Sequence, residues 1–92
     1  MSIFHVEYVY APEAAAVRDE HRPAHREFLG ALHADGRLLF VGPYTDGSGA
    51  ALMVVADDEE AARALLAGDP FAAADAIAAT TVREWKQVYG PF

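Results

Sequence analysis

The sequence predicts an α+β domain of element order βαββαβ, a four-stranded antiparallel sheet with two helices on one face. Three observations predict it. Residues 3–10 are rich in Ile, Val, Phe and Tyr and alternate in character. Two segments, 13–35 and 57–68, carry apolar positions near a 3.6-residue period and run into glycine. Between them, two apolar runs are joined by a short glycine-rich turn.

The first strand sets Phe4, Val6, Tyr8 and Tyr10 on one face, expected to be core, and Ile3, His5, Glu7 and Val9 on the other. Ala11-Pro12 ends it. In the first helical segment the apolar positions are Ala14, Val17, Ala24, Phe28, Ala31 and Leu32. Pro23 interrupts them, and proline inside a helix removes a hydrogen bond. The segment is therefore expected to be irregular before Pro23 and firmly helical from Pro23 to about Asp35, with Gly36 as the stop. Residues 37–43 form a nearly continuous apolar strand, expected to be buried on both faces. Asp46-Gly47 turns the chain into a return strand over 50–56. Asp57 and Glu60 resemble a capping box opening the second helix, with Ala61, Ala62, Leu65 and Leu66 as its stripe and Gly68 as its end. Asp69-Pro70-Phe71 leads into a short helix or turn, and residues 80–89 form the last strand.

With 92 residues the chain reads as one domain, 1–92, and its 53% apolar content is globular. This order of elements is the ferredoxin-like split βαβ. Its second sheet face has no element to cover it, and an apolar face of that size marks an interaction surface. A homodimer or higher homo-oligomer, packed sheet against sheet, is expected; the alternative is a monomer with Gly90-Pro91-Phe92 over part of the face. The absence of cysteine excludes disulfides and thiolate chemistry. A net charge of −7 with only 7 Lys and Arg argues against nucleic acid and against anionic membranes as partners. The N-terminal residues lack a signal-peptide pattern, so a cytoplasmic location is expected.

Two residues stand out for chemistry. With Pro23 near a helix start, His25 is placed in the first turn, where the helix dipole disfavours the imidazolium and leaves a usable general base. Its bland reading is a capping or half-buried histidine. Asp69, followed by proline, reads first as a helix N-cap. Set beside His25, it would instead fix the imidazole tautomer. His5, Tyr8, Arg22 and Phe71 are candidate substrate-binding residues, with Arg22 able to neutralise a developing oxyanion. No metal site is expected: His21 and His25 are four apart, but Pro23 lies between them and no established motif supplies a third ligand. There is no phosphate loop and no nucleophile elbow.

Four pieces in order, Arg22-Pro23-Ala24-His25, Gly36-Arg37-Leu38-Leu39, Gly42-Pro43 and Asp69-Pro70-Phe71, resemble the YciI-like (YCII-related) family over nearly the whole chain. The resemblance implies a ferredoxin-like subunit forming a dimeric α+β barrel, similar to muconolactone-isomerase-like proteins. It also implies a histidine–aspartate active-site pair, matching His25 and Asp69. A family member that eliminates chloride from a chlorinated hydroxyquinol points to proton transfer. The turn Tyr44–Gly49 is short beside many relatives, which would leave the pocket more open. The expected function is that of a cofactor-independent lyase or isomerase acting on a small cyclic or phenolic metabolite. The alternatives are a non-catalytic small-molecule-binding dimer and a purely structural role for the pair.

Overall fold

The computed structural model describes residues 1–91, so Phe92, part of the C-terminal cover that the monomeric alternative requires, lies outside the described residues. The elements are β1 (Ser2–Tyr10), α1 (Ala15–Ala34), β2 (Leu38–Pro43), β3 (Gly49–Ala56), α2 (Glu59–Leu66), α3 (Pro70–Ala73) and β4 (Ile77–Trp85). The sheet is antiparallel throughout, in the order β2-β3-β1-β4. This is the ferredoxin-like arrangement, extended by the single helical turn of α3.

Strand alternation decides what β1 contributes to each side. Phe4, Val6 and Tyr8 are buried under the helices, paired in register with Val54, Leu52 and Ala50 of β3. From above, Leu29 and Leu32 of α1 and Leu66 of α2 close this core. Ile3, His5, Glu7 and Val9 point to the other side of the sheet. There Val9 and Phe40 are exposed and Trp85 is half-buried beside Ile3. The expectation that β2 is buried on both faces is thereby corrected. Leu38 is buried, whereas Phe40 and Val41 are about two-fifths exposed, because β2 is the edge strand.

Helix α1 is continuous through Pro23. The proline's missing amide leaves the Asp19 carbonyl without its helical partner, but both residues are exposed and water can serve that carbonyl. Its buried stripe runs through His25, Leu29 and Leu32, with Ala14 buried just before its first turn; Ala24 and Ala31, expected in the core, face solvent. Helix α2 is capped by Asp58, not Asp57: Asp58 is extended and its carboxylate accepts the Ala61 amide at 2.8 Å. Glu59 and Glu60 occupy the first turn, next to the positive end of the helix dipole.

After α3 the chain reverses at Asp75, whose φ of 57° is unusual for a residue with a side chain. The last strand therefore starts at Ile77, three residues earlier than its sequence suggests, and ends at Trp85. Glycine is obligatory at Gly49, where a Cβ would collide with the Tyr8 carbonyl oxygen. Among the described residues no helix is long and apolar enough to cross a membrane.

Candidate active site

The site lies where α1, α3 and β1 meet beneath the β2–β3 turn. Helix α1 carries His25 well inside its length, not in its first turn, so the expected helix-dipole influence does not operate there. His25 instead occupies a position of the inward stripe and is only 8% exposed.

Asp69 leaves α2 in an extended conformation and caps α3, accepting the Phe71 amide on Oδ1 at 2.9 Å, with Pro70 in the first turn. Its side chain is 0% exposed. A carboxylate so buried needs more than one partner. Oδ1 also meets His25 Nδ1 at 2.7 Å, and Oδ2 accepts the Tyr8 hydroxyl at 3.0 Å. One carboxylate thus joins α1, β1 and α3. An ionised carboxylate only accepts, so Nδ1 carries the imidazole proton and Nε2 of the neutral ring holds the free lone pair. Among the described residues Nε2 makes no hydrogen bond and no buried side-chain nitrogen or oxygen lacks a partner; Nε2 therefore opens to the cleft that His25 lines.

Tyr8 is a firm donor in this network. Burial first, then the neighbouring Asp69 carboxylate, pushes its phenol far above the ordinary tyrosine value. Burial likewise raises the Tyr10 phenol, partly offset by Arg18. The rings are held in series. Phe71 stacks on His25 with centroids 3.7 Å apart and planes 2° from parallel. Tyr10 meets Phe71 edge-on at 5.9 Å, and the Arg18 guanidinium lies 4.3 Å above Tyr10. One face of the imidazole is therefore covered, which leaves a ligand its other face or its Nε2 edge.

That edge borders a cleft of about 380 Å³, of a size for a small metabolite. Leu29 and the hairpin residues Val41, Pro43 and Ala50 give it apolar walls, and Arg18, Arg22 and Arg26 line it from α1. Of the residues singled out from the sequence, His25, Arg22 and Phe71 line this cleft. Arg22 also holds Asp19 at 2.7 Å. Asp69 supports His25 from behind. Tyr8 is not a lining residue: at 2% exposure it serves Asp69 rather than a ligand. His5 is corrected too, because alternation along β1 sends it to the opposite sheet face, level with Met53 and Arg83. Arg18 and Arg26 were missed. Their signal was present in the four-residue spacing of Arg18, Arg22 and Arg26 along one helix. Among the described residues no three His, Asp or Glu side chains converge as a metal site would require.

The structure is similar to that of the 5-chloro-2-hydroxyhydroquinone dehydrochlorinase TftG from Burkholderia phenoliruptrix, solved in complex with 2,5-dihydroxybenzoquinone. The TM-score is 0.81 at 27% identity, covering 91% of this chain and 93% of that one. An antibiotic biosynthesis monooxygenase shares the fold, with a TM-score of 0.61 at 16% identity over 97% of this chain and 100% of that one. In sequence, the chain is 39% identical over 67 residues to the uncharacterized protein YjpA of Bacillus subtilis, covering 73% of this chain and 78% of YjpA. The YCII-related domain model matches residues 3–86, and the chain belongs to the YCII-related family.

Proposed function

We propose that the cleft is an active site for proton transfer on a small cyclic or phenolic metabolite, in a lyase- or isomerase-type reaction that uses no cofactor. The observation that carries this reading is the 2.7 Å contact between His25 Nδ1 and the buried Asp69, which leaves Nε2 free at the cleft edge. Nε2 takes a proton from the substrate, and the electron pair of the broken bond moves into the ring system. In an elimination the leaving group departs with its own pair; in an isomerisation the proton returns at another position. Asp69 stabilises the imidazolium formed in between, and the arginines beside it stabilise charge developing on a substrate oxygen. The likeness to TftG, a dehydrochlorinase of a chlorinated hydroxyquinol, supports this class of chemistry.

The test is turnover of a panel of halogenated and unhalogenated hydroquinols, followed by chromatography and by halide release. The wild-type chain converts at least one compound, and His25→Asn abolishes conversion while leaving the fold intact. Full activity of His25→Asn would overturn the assignment. Tight binding by the wild-type chain with no conversion would favour a small-molecule-binding protein instead.

The assembly proposed with this site is a homodimer joined through the open sheet face, supported by the exposure of Val9 on that face and by the half-buried Trp85 beside Ile3. Sedimentation velocity should show a species of twice the chain mass; a monomer at all concentrations contradicts it.

A further inference from the structure

We propose that the cleft selects an anionic ligand, a small flat ring bearing a carboxylate or an ionised ring oxygen, and that Arg26 reads its charge. This deepens the proton-transfer reading and takes from it only the place of the ligand.

The chain is acidic, with 14 Asp and Glu against 7 Lys and Arg. The cleft is the reverse: three of those seven basic residues line it, Arg18, Arg22 and Arg26, and no carboxylate does. Like charges one helical turn apart repel, so this row weakens α1 unless an anion lies against it. Two of the three already have partners. Arg18 lies on the Tyr10 ring and reaches the Ala11 carbonyl at 3.5 Å, and Arg22 holds Asp19. Arg26 makes no hydrogen bond or ion pair among the described residues. Its helix neighbours three and four residues away are Arg22, Pro23, Leu29 and Gly30, none of them acidic. It adjoins His25 in sequence and lines the same cleft, and a guanidinium presents a planar fork suited to a carboxylate or an oxyanion. The rest of the lining is apolar or aromatic, chiefly Leu29, Val41, Pro43 and Phe71, which fits a ring rather than a sugar. The ligand's charge thus meets Arg26 while its ring lies at the Nε2 edge of His25.

The experiment is calorimetric titration of the full chain in two arms. The carboxylate arm compares 2,5-dihydroxybenzoate with hydroquinone; the ring-oxygen arm compares 4-nitrophenol above and below its ionisation. An anion preference of at least about tenfold in either arm is expected, and the arm that shows it names the anion. Arg26→Gln should erase that preference without weakening hydroquinone binding, and Arg26→Lys should restore part of it. Equal binding of charged and neutral probes in both arms, or an anion preference that survives Arg26→Gln, overturns the proposal. Because binding is read without turnover, His25→Asn should keep the preference even if the chain proves to convert nothing.

Discussion

Two aspartates in this chain do the same local work in different surroundings. Asp58 caps α2 at the surface, accepting one amide at 2.8 Å. Asp69 caps α3 in the interior, accepting one amide at 2.9 Å, and also binds Tyr8 and His25 from elements far away in sequence. A cap alone needs one oxygen and no burial. The additional partners and complete burial of Asp69 therefore mark a second task. Capping and holding the histidine do not compete, because the carboxylate has lone pairs enough for both.

The largest expected effect separates these two positions. Asp69→Ala leaves the Tyr8 hydroxyl, the His25 Nδ1–H and the Phe71 amide without an acceptor in the interior, and should cost roughly 3 kcal/mol or more. Asp58→Ala should cost about 1 kcal/mol, as an exposed cap does. Urea unfolding of the two variants checks the comparison, and equal losses would break it.

Between these extremes stands Tyr8→Phe, which strands one lone pair of Asp69 and should cost about 1–3 kcal/mol at neutral pH. Its pH dependence is more telling. The folded state holds the Tyr8 proton more tightly than the unfolded chain does, so unfolding releases that proton at high pH. This part of the stability is fully present below about pH 10, the ordinary tyrosine value, and is lost as pH rises beyond it. Tyr8→Phe should therefore show a shallower loss of stability than wild type in urea titrations between about pH 9 and 11. Parallel curves would remove Tyr8 from the network. The smallest effect belongs to Asp19→Asn, which breaks a solvent-exposed ion pair with Arg22 and should leave the urea midpoint within error.

The β1 alternation and the β2–β3 turn were legible because period-two patterning and an Asp-Gly turn are local signals. Proline at 23 misled, since its cost depends on whether the deprived carbonyl reaches water, which only packing decides. Alanine misled twice. Ala24 and Ala31 fitted the helical period but lie on the solvent side, and the alanines after Phe71 concealed where β4 begins. The stripe that α1 buries runs through His25, a residue that hydropathy alone places outside a core. Asp69 was readable as a cap from its own neighbours. Its meeting with His25, 44 residues away, depends on α1 and α3 packing together and was carried beforehand only by the family pattern.

Through its contact with Nδ1, Asp69 sets which nitrogen of His25 faces the cleft. Long-range ¹H–¹⁵N correlation of the histidine rings tests it directly, at a pH where the ring is neutral. The His25 ring should carry its proton on Nδ1 in the wild-type chain, and should lose that preference in Asp69→Ser, whose shorter side chain can cap α3 but is too short to hold the ring. A His25 ring protonated on Nε2 in the wild-type chain, or one unchanged in Asp69→Ser, would contradict that role.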